Sequence, residues 1–220
     1  RLKNYLVAAG ERRQLDVLNV AHPGDGTKDL PSQAIKVIKE LFQGGYDSIK
    51  YMTILIGSND ACDDSQTGGV PVNEMRNNLL HAMKLLSQIS QNEPLRILLV
   101  GIPRIPDLGT QAYKNARTLF GLKCKTVRNK ILHFCNPLLT WEKPEEYDEH
   151  MNNVETRNRM MRMLAKELNA TYPNLQVIYS DRLFQLPIPI EIMAADCFHP
   201  GKVAQAAIAS ETWIDQPWFK

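Results

Sequence analysis

The sequence predicts an α/β fold, a three-layer α/β/α sandwich built around a mostly parallel sheet. Three observations carry that prediction. Four short runs are almost continuously apolar, the pattern of strands covered on both faces. Stretches with helical apolar stripes alternate with them. The segments that directly follow the runs hold most of the chain's Gly, Asp and Asn, and in parallel sheets function gathers at the carboxyl ends of the strands.

The first strand is predicted at "LDVLNVA" (15–21), ahead of "HPGDGTKD". Pro31 then opens a helix carrying Ile35, Ile38, Leu41 and Phe42 on one face, stopped by Gly44 and Gly45. The second strand, "IKYMTILIG" (49–57), runs into "GSNDACDD". A helix over about 71–91 places Val72, Met75, Leu79, Met83, Leu86 and Ile89 on one stripe. The third strand, "LRILLVG" (95–101), leads into "GIPRIPD". A long helix over about 145–169 carries Tyr147, Met151, Val154, Met161, Leu164 and Leu168. The last strand, "LQVIYS" (175–180), precedes "SDRLFQ", and a final helix follows Gly201 toward Trp213. Between these elements, residues 104–150 have mixed charge, aromatic residues and two cysteines. They read either as a lid or pocket-lining insertion or as an extra pair of helices.

Size and charge bound the rest. The 220 residues suffice for one well-filled core, so residues 1–220 are expected to form a single domain. Twenty-six basic against twenty-four acidic side chains leave a net charge of +2, evenly spread, which implies no nucleic acid or other polyanion partner. No apolar run approaches the roughly 20 residues of a membrane span. The chain opens at Arg1 without Met and reads as a mature or trimmed product, with the residues ahead of Gly24 resembling the end of a helix. The four cysteines, Cys62, Cys124, Cys135 and Cys197, form no CxxC pair. They permit two disulfides, one of which would close the loop between Cys124 and Cys135. The alternative is four small buried side chains in a reducing cytosol.

Three loops carry chemistry. In "NVAHPGDGTKDL", Gly24 and Gly26 let the backbone turn tightly and offer N–H groups at a helix entrance, although no GKS/T marks a phosphate loop. In "IGSND", Gly57 permits an abrupt exit from the sheet and Asn59 projects a carboxamide over its edge, the donor an oxyanion hole needs. The same residues also suit a helix cap or an Asx turn. Asp60, Asp63 and Asp64 lack the ligand spacing of a calcium loop and are expected to be solvated. In "DCFHPG", Asp196 can hold the His199 imidazole in one tautomer, leaving its other nitrogen as a general base, with Pro200 and Gly201 fixing the loop. Of the other histidines, His81 and His133 fall in helical patterns, His150 in a charged stretch, and His22 at the surface near Gly24.

Taken together, these blocks resemble the SGNH or GDSL family of serine esterases and lipases, whose flavodoxin-like sandwich matches the predicted fold. Gly24 falls on the second-block glycine, Gly57, Asn59 and Asp60 on the third block, and Asp196 and His199 on the last. Cysteines in "IGSNDAC" and "DCFHPG" look most like the phospholipase B-like branch, and the similarity spans residues 15 to 213. The first block, Gly-Asp-Ser with the nucleophile, is absent. None of Ser32, Ser48, Ser58, Ser65, Ser87, Ser90, Ser180 or Ser210 follows Gly-Asp, so none is assigned the role.

The resemblance therefore implies hydrolysis of carboxylic esters, lipid or phospholipid acyl esters among them, by serine acyl transfer. The first strand and its serine are expected upstream of residue 1. His199 would be the base, Asp196 its orienting acid, Gly24 and Asn59 the oxyanion donors, and Gly57 and Asp60 their support. No metal or other cofactor is implied, and the partner is a small ester or lipid. The alternative is an SGNH-fold module that has lost its nucleophile and binds a lipid, glycan or protein. A nucleotide-binding domain is disfavoured because no GxGxxG follows a strand. A secreted or periplasmic location is expected ahead of a cytoplasmic one, and Asn169 opens a glycosylation sequon. A Cys62–Cys197 bridge would tie two of the site loops together.

Overall fold

The computed structural model describes residues 16–64, 68–118, 121–132, 135–189, 191, 193–214 and 216–219. Expectations for the residues ahead of Asp16, for Ser65 and for His133 lie outside the described residues. Helix α1 (Leu30–Gln43) leads to strand β1 (Tyr51–Leu55), then to the short helix α2 (Ser58–Cys62) and to α3 (Val72–Leu86). Strand β2 (Leu95–Val100) follows, and after a region of short turns come α4 (Pro144–Thr171), β3 (Leu175–Ser180) and α5 (Lys202–Trp213).

The three strands run parallel in the order β1-β2-β3, with Tyr51 opposite Arg96 and Leu95 opposite Leu175 at the start of each ladder. Central β2 is buried from end to end except at Arg96, as its aliphatic composition predicts. Strand alternation sends its side chains to two faces. Ile97 and Leu99 enter the larger core with Met75, Leu79 and Met83 of α3 and Val154, Met161 and Leu164 of α4. Leu98 and Val100 join Leu183 on the opposite face, closed by Ile178, Ile208 and Trp213. Helices thus cover both faces of a small parallel sheet, the predicted three-layer arrangement.

The stripe foreseen for α3 is buried almost as read, Ile89 included. On α1 the buried residues are Leu30, Ala34 and Leu41, with Ile38 half-buried, while Ile35 and Phe42 are exposed. Their apolar character broadened the predicted stripe onto a side that is exposed. The strand expected at 15–21 is a larger departure. Residues 16–21 run as irregular chain, with Val17 85% exposed, because among the described residues no strand lies beside them to complete a ladder. At the opposite edge, β3 is blocked by a side chain. Asn169 Nδ2 donates to the Val177 carbonyl at 2.7 Å, and Val177 N–H donates back to Asn169 Oδ1 at 2.8 Å. The sequon residue therefore has a structural duty.

The described residues between 105 and 143 form a series of short turns: Ile105–Gly109, Gln111–Asn115, Cys124–Thr126 continuing as a π-helix over Val127–Leu132, and Asn136–Leu139. They are pinned to α4 through a closed triangle. Arg104 Nε donates to Asp107 (2.9 Å), Arg104 Nη2 to the Tyr147 hydroxyl (3.0 Å), and that hydroxyl to Asp107 (2.8 Å). Trp141 Nε1 adds a bond to the Pro106 carbonyl at 3.1 Å.

The disulfides correct the sequence reading. Cys62 pairs with Cys135 and Cys124 with Cys197, so neither the Cys62–Cys197 bridge nor a Cys124–Cys135 loop forms. Cys124 and Cys135 belong to the region of short turns, so each reaches outward to one site loop instead of to its neighbour in sequence. Each bridge spans 73 residues, a length for which denatured-chain entropy alone gives roughly 4 kcal/mol of stabilisation. Among the described residues, no helix is long and apolar enough to cross a membrane.

Gly57 sits at the exit of β1 with φ of +102°, and a Cβ there would stand 2.9 Å from Ile102 Cδ1. Strain in the backbone and overlap in the core act together at this position. Gly57→Ala is expected to destabilise the fold by about 1–3 kcal/mol, read as a lower urea midpoint at unchanged slope.

Candidate functional site

The loop after residue 21 turns at Gly24, with φ of +86°, and enters α1 through a 3₁₀ turn over Thr27–Asp29. Asp29 accepts the Gly26 N–H at 2.9 Å, so the entrance is closed by its own side chain. Across the sheet edge, Gly57 breaks β1 abruptly and α2 begins at Ser58. Asn59, on the first turn of α2, donates from Nδ2 to the Asp25 carbonyl at 2.8 Å. That bond fixes the plane of the carboxamide and uses one of its two N–H donors.

Asp60 corrects the expectation of a solvated carboxylate. It is 3% exposed and accepts the Thr27 N–H at 3.0 and 2.9 Å on its two oxygens, together with the Thr27 hydroxyl. Thr27 is itself fully buried and takes a further bond from Asn78 Nδ2 of α3 at 3.4 Å. The main chain of Asp60 also accepts Val70 N–H at 2.8 Å. The buried pair Asp60 and Thr27 thus joins the glycine loop, the asparagine loop and α3. Asp64 remains exposed, and Asp63 is half-buried.

The third loop precedes α5. Asp196 Oδ1 accepts the N–H groups of Phe198 and His199, each at 3.0 Å, and His199 Nδ1–H donates to Asp196 Oδ2 at 2.7 Å. Partial burial opposes ionisation of Asp196, but the bonds from the His199 ring and the two backbone donors outweigh it. They hold the carboxyl below the ordinary aspartate value. The loop is closed by Ala194 N–H to the His199 carbonyl (2.8 Å) and by a bridge between Met193 and Pro200.

Gly24, Ser58, Asn59 and His199 all line one cleft of about 1760 Å³. The loops around Gly24, Asn59 and His199 thus contribute to the lining of the same cleft. Ile105, Leu108, Ile188, Met193 and Phe198 give the same cleft an apolar wall. His22 also lines it, with its side chain 78% exposed. His81 is exposed on α3, and His150 is half-buried with its pKa pushed down by burial, so neither joins this set.

Two supporting residues escaped the sequence reading. Thr27 gave no signal beyond its place after Gly26. Arg157 is buried on α4 and donates from Nη2 to the carbonyls of Gly68 (2.8 Å) and Val70 (2.6 Å), which holds that turn against Asp60. Its neighbour Asn158 clasps Ile102 by both backbone groups, at 2.7 and 2.9 Å. Both polar residues interrupt the apolar stripe between Val154 and Met161, a visible sign of buried polar partners.

Comparison with curated proteins returns no match. The profile of the GDSL-like lipase/acylhydrolase family, in contrast, matches residues 1–212, nearly the whole chain and all three of these loops. An extent of that kind covers the fold as well as the motifs, and the chain accordingly belongs to the GDSL-like lipase/acylhydrolase family of ester-hydrolysing enzymes.

Proposed function

We propose that the protein hydrolyses acyl esters of lipids, phospholipids among them, by serine acyl transfer. The observation that carries this reading is the 2.7 Å Asp196–His199 bond on the rim of the cleft that Asn59 and Gly24 also line. His199 acts through Nε2 as the base that takes the serine proton and then returns it to the leaving alcohol. Asp196 holds the ring with its proton on Nδ1. The second N–H of Asn59 and the backbone N–H of Gly24 receive the oxyanion of the tetrahedral intermediate, with the serine's own N–H as the third donor. Gly57 and Asp60 keep those donors in register. The apolar wall formed by Ile105, Leu108, Ile188, Met193 and Phe198 suits an aliphatic acyl chain. Two residues of the 104–150 segment belong to that wall, which favours a pocket-lining role for it.

The nucleophile is a Gly-Asp-Ser serine outside the 220 residues, carried on a strand that enters the cleft beside β1. The support is positional. The cleft lies between β1 and the irregular segment 16–21, is bounded by α1 and α5, and opens on His199. Two disulfides are compatible with an extracellular location, and we extend this to a secreted or periplasmic enzyme most similar to the phospholipase B-like branch.

A fluorophosphonate should label the protein bearing the Gly-Asp-Ser segment on that serine and leave residues 1–220 alone unlabelled. No label on the longer protein would favour a binding module of the same fold. Asn59→Ala should lower kcat about 10²–10³-fold with KM little changed, the cost of one oxyanion donor. Equal turnover in mutant and parent would remove Asn59 from the reaction. The pH response follows from Asp196. A carboxyl depressed in the folded chain adds stability that is complete above its unfolded value and lost as the pH falls through its folded one. The stability gap between the parent and Asp196→Asn should therefore be full at neutral pH and vanish in strong acid, as followed by urea unfolding.

A further inference from the structure

Among the described residues only two other than glycine adopt positive φ, Cys135 at +50° and Cys197 at +59°. Both are half-cystines. Left-handed backbone is costly for a residue with a Cβ and persists only where surrounding bonds over-determine it. Cys197 follows the acid directly and, with Phe198, links it to the base, and the course of the chain through it brings the Asp196 carboxylate back to Phe198 N–H, His199 N–H and the His199 ring. Its own N–H is spent on the Ala194 carbonyl at 2.9 Å. Its sulfur is bound to Cys124, and both cysteines are buried, at 4% and 2% exposure. Cys124 is a firm anchor. Its N–H donates to the Ala116 carbonyl at 2.8 Å, next to a bridge between Arg117 and Lys123.

We propose that Cys197 is a positioning residue. Its bridge to Cys124 holds residue 197 in the left-handed conformation that lets Asp196 fix the tautomer of His199. The catalytic meaning of this rests on the reading of Asp196 and His199 given above, whereas the effect on the ring does not. Cys62–Cys135 is a matched control, since it spans the same 73 residues and anchors α2 instead of the histidine loop. Losing either bridge relaxes the denatured chain equally. Only the loss of Cys124–Cys197 should move the imidazole.

The test is the tautomer of neutral His199, read from ¹⁵N imidazole spectra of the full chain, beside turnover of the protein bearing its nucleophile. The parent and the C62S/C135S pair should carry the proton on Nδ1. The C124S/C197S pair should shift toward the Nε2–H form and lose at least tenfold in kcat with KM unchanged. The C124S/C197G pair should recover both, because glycine accepts positive φ without the bridge. Retention of the Nδ1–H form in C124S/C197S, or equal loss in the serine and glycine pairs, would overturn the proposal and leave the bridge as a staple of the fold. If the serine pair fails to fold, staged reduction of the parent, with the opened bridge identified by mass spectrometry, gives the same comparison. The expected tautomer shifts without ester hydrolysis in any variant would support the positioning role and count against the hydrolase reading alone.

Discussion

The buried contact between Asp60 and Thr27 is the constraint on which the site depends. The oxyanion hole proposed above, a glycine amide with an asparagine amide, requires two loops more than thirty residues apart to keep a fixed separation. A carboxylate 3% exposed, taking both the N–H and the hydroxyl of a fully buried threonine, supplies that separation in a setting where water cannot compete. Arg157 and Val70 close the other side of the same knot. Removing any one of these partners strands a buried polar group, so the network holds or fails as a unit.

Of the two disulfides, Cys124–Cys197 ties down the histidine loop, as Asp60 ties together the other two. Both bridges reach out from the region of short turns, one to α2 and one to the Asp196–His199 loop. That region is in turn fastened to α4 by the Arg104–Asp107–Tyr147 triangle. One side of the cleft, at Ile105 and Leu108, thus belongs to a segment without long helices or strands that is tied down by covalent links and partly buried hydrogen bonds.

Much of this was legible in the sequence. Near-continuous apolar runs gave β1, β2 and β3, and the stripe from Met75 to Ile89 gave α3, because burial on two faces or on one stripe leaves a direct compositional trace. The three candidate loops were picked out by residue type after predicted strands or before the last helix, with Gly57, Asn59, Asp196 and His199 among them, and by their resemblance to the family's blocks. Cysteine pairing was not readable, since spacing along the chain carries no information on which loops meet. Asp60 was misjudged because its partner Thr27 is distant and unremarkable in sequence. The run 15–21 has the composition of a strand, but a strand is a property of pairs, and composition cannot say whether a partner stands alongside.

Asn169 has a consequence for how the sheet can grow. By engaging both outward backbone groups of Val177, it imitates a neighbouring strand and makes the β3 margin unreceptive to another chain.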